Sequence, residues 1–188
     1  MSLIFRNDDV SGTTDIQRML STYDAIRDVF PESEIWSAVS VLSKGNPIGS
    51  VYPGVPFKDK EQKWFYDVDR GFDFDFLSCM ESSKVVSHGL LHFDHSKASY
   101  DSQEMSILTS CNLLKTNIFV PPFNRFNLDT EIICKDNNIF LVGKDEKWLN
   151  LETNKFNPEH KNWYFHSWRI SSDKMRELLN EKNNMQKL

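Results

Sequence analysis

Nothing in this 188-residue chain supports a disulfide framework. The three cysteines, Cys79, Cys111 and Cys134, are odd in number and far apart, and no CxxC pair suggests a thiolate metal site. They read as reduced, buried thiols. A basic stripe is missing too: 22 Lys and Arg against 27 Asp and Glu give a net charge of −5. That balance cannot displace counterions from phosphates, so nucleic acid is excluded as a partner. No apolar run reaches the ~18 residues of a membrane span. Arg6, Asp8 and Asp9 interrupt the N-terminus before a secretory-type apolar core can form, so the expected location is cytoplasmic.

What is present is enough apolar and aromatic residue, 39% and 13%, to fill one core in one domain spanning 1–188, with a flexible tail from about 182. Apolar runs of strand length alternate with helical periodicity. Ser2 to Asn7 reads as a buried strand, and Val10 to Thr13 as a turn. A helix capped by Thr14 follows and is stopped by Pro31. Glu34 to Leu42 and Lys84 to Ser87 read as strands, and a second helix starts near Asp101. Asn117 to Val120, Ile139 to Val142 and Trp163 to His166 are further strands, with helical stretches at Thr130 to Lys135 and Ser172 to Glu181. Between Gly45 and Phe76 the pattern gives way to prolines and many rings, too apolar for a solvated linker. The expectation there is an ordered insertion over a site. This alternation predicts an α/β fold, a parallel sheet or barrel whose ligands gather at the carboxyl ends of the strands.

Chemistry collects at those ends. Asp8 and Asp9 close the first strand, His88 follows the third with His92 four residues on, and His166 ends the last. A carboxylate with two imidazoles is a facial ligand set for a divalent ion such as zinc, and a second carboxylate is then free to move protons. Each motif alone is weak. A DD pair is more often a cap or a solvated turn, and five histidines in 188 residues make an H-x3-H pair a chance event roughly one time in eight. One helical turn through Gly89-Leu90-Leu91 would bring His88 and His92 onto a common face. Trp163 and Trp168 flank His166, either as core or as a face for an acetyl methyl or a sugar.

Taken in order, strand-Asp8-Asp9, His88-x3-His92, Phe119-Val120-Pro121-Pro122-Phe123 and a late strand ending in His166 resemble the polysaccharide deacetylase superfamily, the NodB homology domain of carbohydrate esterases. The resemblance implies a distorted (β/α) barrel of about seven strands. It also implies metal-dependent removal of N- or O-acetyl groups from a small or oligomeric sugar. Asp9, His88 and His92 would be the metal ligands, Asp8 the general base and His166 the acid. Pro122, Phe123 and Trp168 would lie at the substrate, with the Phe123 N–H donating to the oxyanion.

Two departures mark an atypical branch. Val120 stands where the family has an arginine that orients its base, leaving Arg125 or Arg6 to substitute, and Val10 follows the aspartates in place of glycine. The competing expectations are a catalytically impaired carbohydrate-binding protein of the same fold and a diacetylchitooligosaccharide-type deacetylase, whose histidines are spaced differently.

Overall fold

The computed structural model describes residues 2–12, 14–41, 77–90 and 92–180. Seven parallel strands form one curled sheet: β1 (Ile4–Val10), β2 (Glu34–Val39), β3 (Lys84–Ser87), β4 (Ile118–Phe119), β5 (Phe140–Leu141), β6 (Leu149–Asn150) and β7 (Asn162–Phe165). Their order is β5-β4-β3-β2-β1-β7-β6, so β1 and β7 are joined and, among the described residues, the barrel is open between β5 and β6. Among the described residues four helices flank this distorted (β/α) barrel: α1 (Ile16–Val29), α2 (Tyr100–Leu113), α3 (Leu128–Asp136) and α4 (Ser172–Asn180). The insertion expected at 45–76 and the tail expected from 182 lie outside the described residues. Among the described residues no helix is long and apolar enough to cross a membrane.

Period-two alternation sorts the strand residues between two layers. Phe5, Ile35 and Val39 point to α1 and α4, where they pack with Tyr23, Ile26, Met175 and Leu179. Phe119 and Leu141 meet Ile107, Cys111, Ile133 and Cys134 beneath α2 and α3. Trp36, Ala38, Val86, Ile118 and Val120 line the concave side with Ile4 and Trp148. Cys111 and Cys134 are buried as expected, but Cys79 is exposed.

Local signals were displaced by a residue or two. Asp15, not Thr14, caps α1 by accepting the Arg18 N–H at 3.0 Å, while Thr14 Oγ1 turns back to accept the Ser11 N–H at 2.9 Å. Ser99 caps α2, which leaves Asp101 in the first turn, where its charge faces the positive end of the helix dipole. The strand read as ending at Asn7 continues to Val10, the first residue of the run read as a turn. The two-residue strand β6 is too short for any periodicity to reveal.

Candidate active site

On a regular strand, adjacent aspartates would point to opposite faces. Here β1 is bulged: Asn7 pairs with Ser37 and Val10 with Val39, three steps on β1 against two on β2. Asp9 absorbs the extra residue in a left-handed conformation, φ 63°. That conformation is unfavourable for a non-glycine residue and is held by the flanking strand pairing. The bulge turns Asp9 to the side that Arg6 and Asp8 already face, so both carboxylates line one cavity.

Asp8 is gripped from below. Arg6, fully buried, donates through Nε to Asp8 Oδ1 at 2.6 Å and through Nη2 to Oδ2 at 2.8 Å, and also to Asn124 Oδ1 at 2.7 Å. Its guanidinium carbon lies 4.5 Å from the centroid of Trp148 and 5.3 Å from that of Tyr164. Burying a guanidinium costs several kcal/mol, about 3–5 of which reappear if its partner is lost; the fork and the two ring faces offset that cost. Arg125 does not reach Asp8; its Nη1 donates to Asp94 at 3.2 Å.

His88 and His92 meet Asp9. His88 leaves β3 with its own N–H bonded to Val39 at 2.8 Å, and Gly89 follows at φ 90°, a turn that a side chain would oppose. Neither 88–90 nor 92–94 is helical, so this turn, and not the expected helical one, accompanies the convergence of the histidines. Their ring centroids are 5.0 Å apart. Nδ1 of His88 lies 2.8 Å from the Val120 carbonyl, which accepts a hydrogen bond from it, and Nε2 is turned toward Asp9 Oδ1 at 3.2 Å. His95, by contrast, is a core histidine: burial pushes it down to about 3, so it is neutral.

One atom from each of Asp9, His88 and His92 lies within 4.8 Å of the others, all three residues being buried. His92 Nε2 comes to 2.7 Å from Asp9 Oδ1, yet it and Asp9 Oδ2 are buried without a hydrogen bond. A donor set this crowded, with two of its atoms lacking a hydrogen-bond partner, fits a cation at their common centre. Burial works to raise the Asp9 carboxyl, but His92, His88 and His166 together hold it well below the ordinary carboxylate range. His88→Ala or His92→Ala is therefore expected to abolish stoichiometric retention of a divalent cation while leaving the far-ultraviolet circular dichroism of the barrel. Metal analysis after dialysis checks this, and full retention in either variant refutes the ligand set.

On the other side stands His166, its Nε2 3.3 Å from Asp9 Oδ2. Its Nδ1 is 2.5 Å from Glu152 Oε1, which also accepts the His166 backbone N–H at 2.8 Å. Burial alone would lower the imidazole; the Glu152 hydrogen bond and the nearby aspartates raise it. Glu152 was not legible in the sequence, because it lies 14 residues before His166 in an irregular segment after β6. The loop beyond His166 is pinned to β1 by Asn7, whose Oδ1 accepts the Ser167 N–H at 2.9 Å. Asn7 Nδ2 donates to Ser167 Oγ and to Tyr23 Oη, both at 3.0 Å. Burial pushes Tyr23 up to about 12, so it stays a neutral phenol in this network.

These groups surround a cavity of about 280 Å³ at the carboxyl ends of the strands, lined also by Phe123, Arg125, Tyr164 and Arg169. Phe123 and Asn124 both take left-handed backbone angles, φ 60° and 54°, and the Phe123 ring meets His92 edge-on at 4.7 Å. Pro122 is buried, and Trp168 packs on His166 at 5.6 Å under the Arg169 guanidinium. Neither lines the cavity.

No protein-family model matches the sequence, and no curated protein matches it. Solved structures match in shape. A family 4 carbohydrate esterase from Streptomyces lividans, in complex with acetate, superposes with a TM-score of 0.57 at 10% identity, covering 98% of this chain and 88% of the esterase. The chain shares the fold of this family 4 carbohydrate esterase. The peptidoglycan deacetylase PdaC from Bacillus subtilis shares it at TM-score 0.55 and 12% identity, over 98% of this chain and 83% of PdaC. So does a CE4 family pseudoenzyme from Bacillus anthracis, at 0.57 and 8%; 98% of this chain is covered, but it spans only 61% of the pseudoenzyme. The CE4 fold thus carries active and inactive members, and the side chains at the strand ends must decide between them.

Proposed function

We propose that this protein is a metal-dependent hydrolase that removes N- or O-acetyl groups from a carbohydrate. The observation that carries the reading is the convergence of Asp9, His88 and His92 with a separately gripped carboxylate, Asp8. The donor set suits zinc. A bound divalent cation supplies Lewis acidity toward the acetyl carbonyl and lowers the pKa of its water to about 7.

The chain's own residues supply the rest. Asp8, oriented by the Arg6 fork, accepts the proton of the attacking water. The backbone N–H of Phe123, in the left-handed turn at the cavity wall, donates to the developing oxyanion. His166 gives its Nε2 proton to the leaving nitrogen as the carbon–nitrogen bond breaks, and Glu152, accepting from Nδ1, fixes the tautomer and stabilises the imidazolium. Water and the acetamide thus become acetate and an amine. A non-catalytic reading drew its support from the missing motif arginine. Arg6 meets that need from β1, which favours an active enzyme.

Acetate release from a panel of acetylated sugars by the zinc-loaded protein tests the proposal, and silence across the panel would sink it. Within it, His166→Ala should keep its metal and lose more rate on N-acetyl than on O-acetyl substrates, since an alkoxide leaves more readily than an amide anion. Equal losses on both would reassign the acid.

A further inference from the structure

The cavity mouth carries more positive charge than this acidic chain leads one to expect. On one wall, just after β4 and its short turn, Arg125 Nη1 and Lys97 Nζ share a single carboxylate oxygen, Asp94 Oδ2, at 3.2 and 3.3 Å. Asp94 is itself buried and fixed by the Ser96 N–H and hydroxyl. Burial opposes its ionisation, yet Ser96, Arg125 and Lys97 hold it below the ordinary carboxylate range. On the other wall, after β7, Arg169 is laid flat on Trp168 at 4.4 Å and directed by Glu152 Oε2 at 3.3 Å. Both guanidiniums are about half exposed, 55% and 47%, and both line the cavity. Each spends one Nη1 on its carboxylate.

Counted over the site, Arg6, Lys97, Arg125 and Arg169 balance Asp8, Asp9, Asp94 and Glu152, four against four. A divalent cation at Asp9, His88 and His92 would leave an excess of two positive charges in a chain of net charge −5. A neutral sugar has no use for two braced guanidiniums at its entrance. An anion does, because planar guanidinium matches carboxylate and phosphate oxygens in pairs.

We propose that the substrate is an anionic acetylated sugar, its carboxylate or phosphate recognised by Arg125 and Arg169. This rests on the deacetylase reading for the acetyl group and for the cation; the rim residues themselves supply the two braced guanidiniums.

Calorimetric binding to the zinc-loaded protein tests it, with three ligands: N-acetylglucosamine, the same sugar carrying a phosphate, and N-acetylmuramic acid with its carboxylate. The wild type should bind at least one of the anions about tenfold or more tightly than the neutral sugar, as charge-assisted contacts predict. That preference should shrink as salt is raised. The tighter of the two anions identifies which group the rim reads. Arg125→Gln with Arg169→Gln should remove the preference and leave neutral-sugar affinity within about twofold; both side chains are exposed, so the fold is not at stake. Equal affinities in the wild type would overturn the proposal, as would a preference that survives the double substitution, which would assign it to the metal. Acetate release measured in parallel separates the two readings. Anion-selective, arginine-dependent binding without hydrolysis keeps this inference and removes the deacetylase, whereas hydrolysis without anion selectivity does the reverse. Binding of none of the three overturns the inference.

Discussion

Asp8→Asn is expected to lower kcat on an accepted substrate by ~10²–10⁴-fold, the usual contribution of a general base, with little change in KM and no loss of metal. Asp8 makes no contact with the histidines among its hydrogen bonds and ion pairs; both of its oxygens face Arg6. Removing its charge therefore leaves the Asp9–His88–His92 set whole. What is lost is a group able to take a proton from water, because an amide oxygen is too weakly basic. The amide nitrogen would also oppose an Arg6 N–H, so some thermal stability should go, and rates must be compared well below the melting temperature. Metal content and kcat from the same preparation decide the matter. A variant that sheds zinc would make Asp8 a ligand, and one within about threefold of wild type would end its role as base.

The sequence made the strand ends readable because strand, turn and helix signals are local. Asp8, Asp9, His88 and His166 are each within a residue or two of such a signal. Three features resisted. The bulge that turns Asp9 beside Asp8 depends on pairing with β2, and an isolated Asp-Asp-Val carries no mark of it. Glu152 and Asn7 gain their meaning only through contacts 14 and 160 residues away. Arg6 presented the opposite difficulty. It was visible as a candidate beside Arg125, but nothing local distinguished a buried fork from an exposed rim charge. The alternation of β1 does so in retrospect, since residues 4, 6 and 8 share the concave face, where Arg6 meets Asp8 directly. The TM-scores near 0.57 at identities around 10% fit this division. Layer pattern survives great sequence change, whereas the partners that orient a catalytic group can be supplied from another strand.

Arg6→Met should then be the most damaging single substitution for stability, costing about 3–5 kcal/mol, the range for removing one partner of a buried ion pair. For a chain of this length each kcal/mol moves the melting temperature by about 2–4 °C, so a fall of roughly 6–20 °C is expected. The methionine can still fill the space between Trp148 and Tyr164, which isolates loss of charge from loss of packing. Asp8, left without its partner in a site only 4% exposed, bears the penalty. The double variant Arg6→Met with Asp8→Asn should therefore be more stable than the sum of the two single effects predicts, by about 1 kcal/mol or more. Arg6→Lys should restore part of the stability but less of the activity, because a point charge cannot hold both carboxylate oxygens as the guanidinium does. Zinc binding should survive in all three, since no ligand is touched. Thermal unfolding and metal analysis of the set give a clear reading. A shift under 2 °C for Arg6→Met, or strict additivity in the double variant, would mean that the fork neither stabilises Asp8 nor orients it, and the base would need another partner.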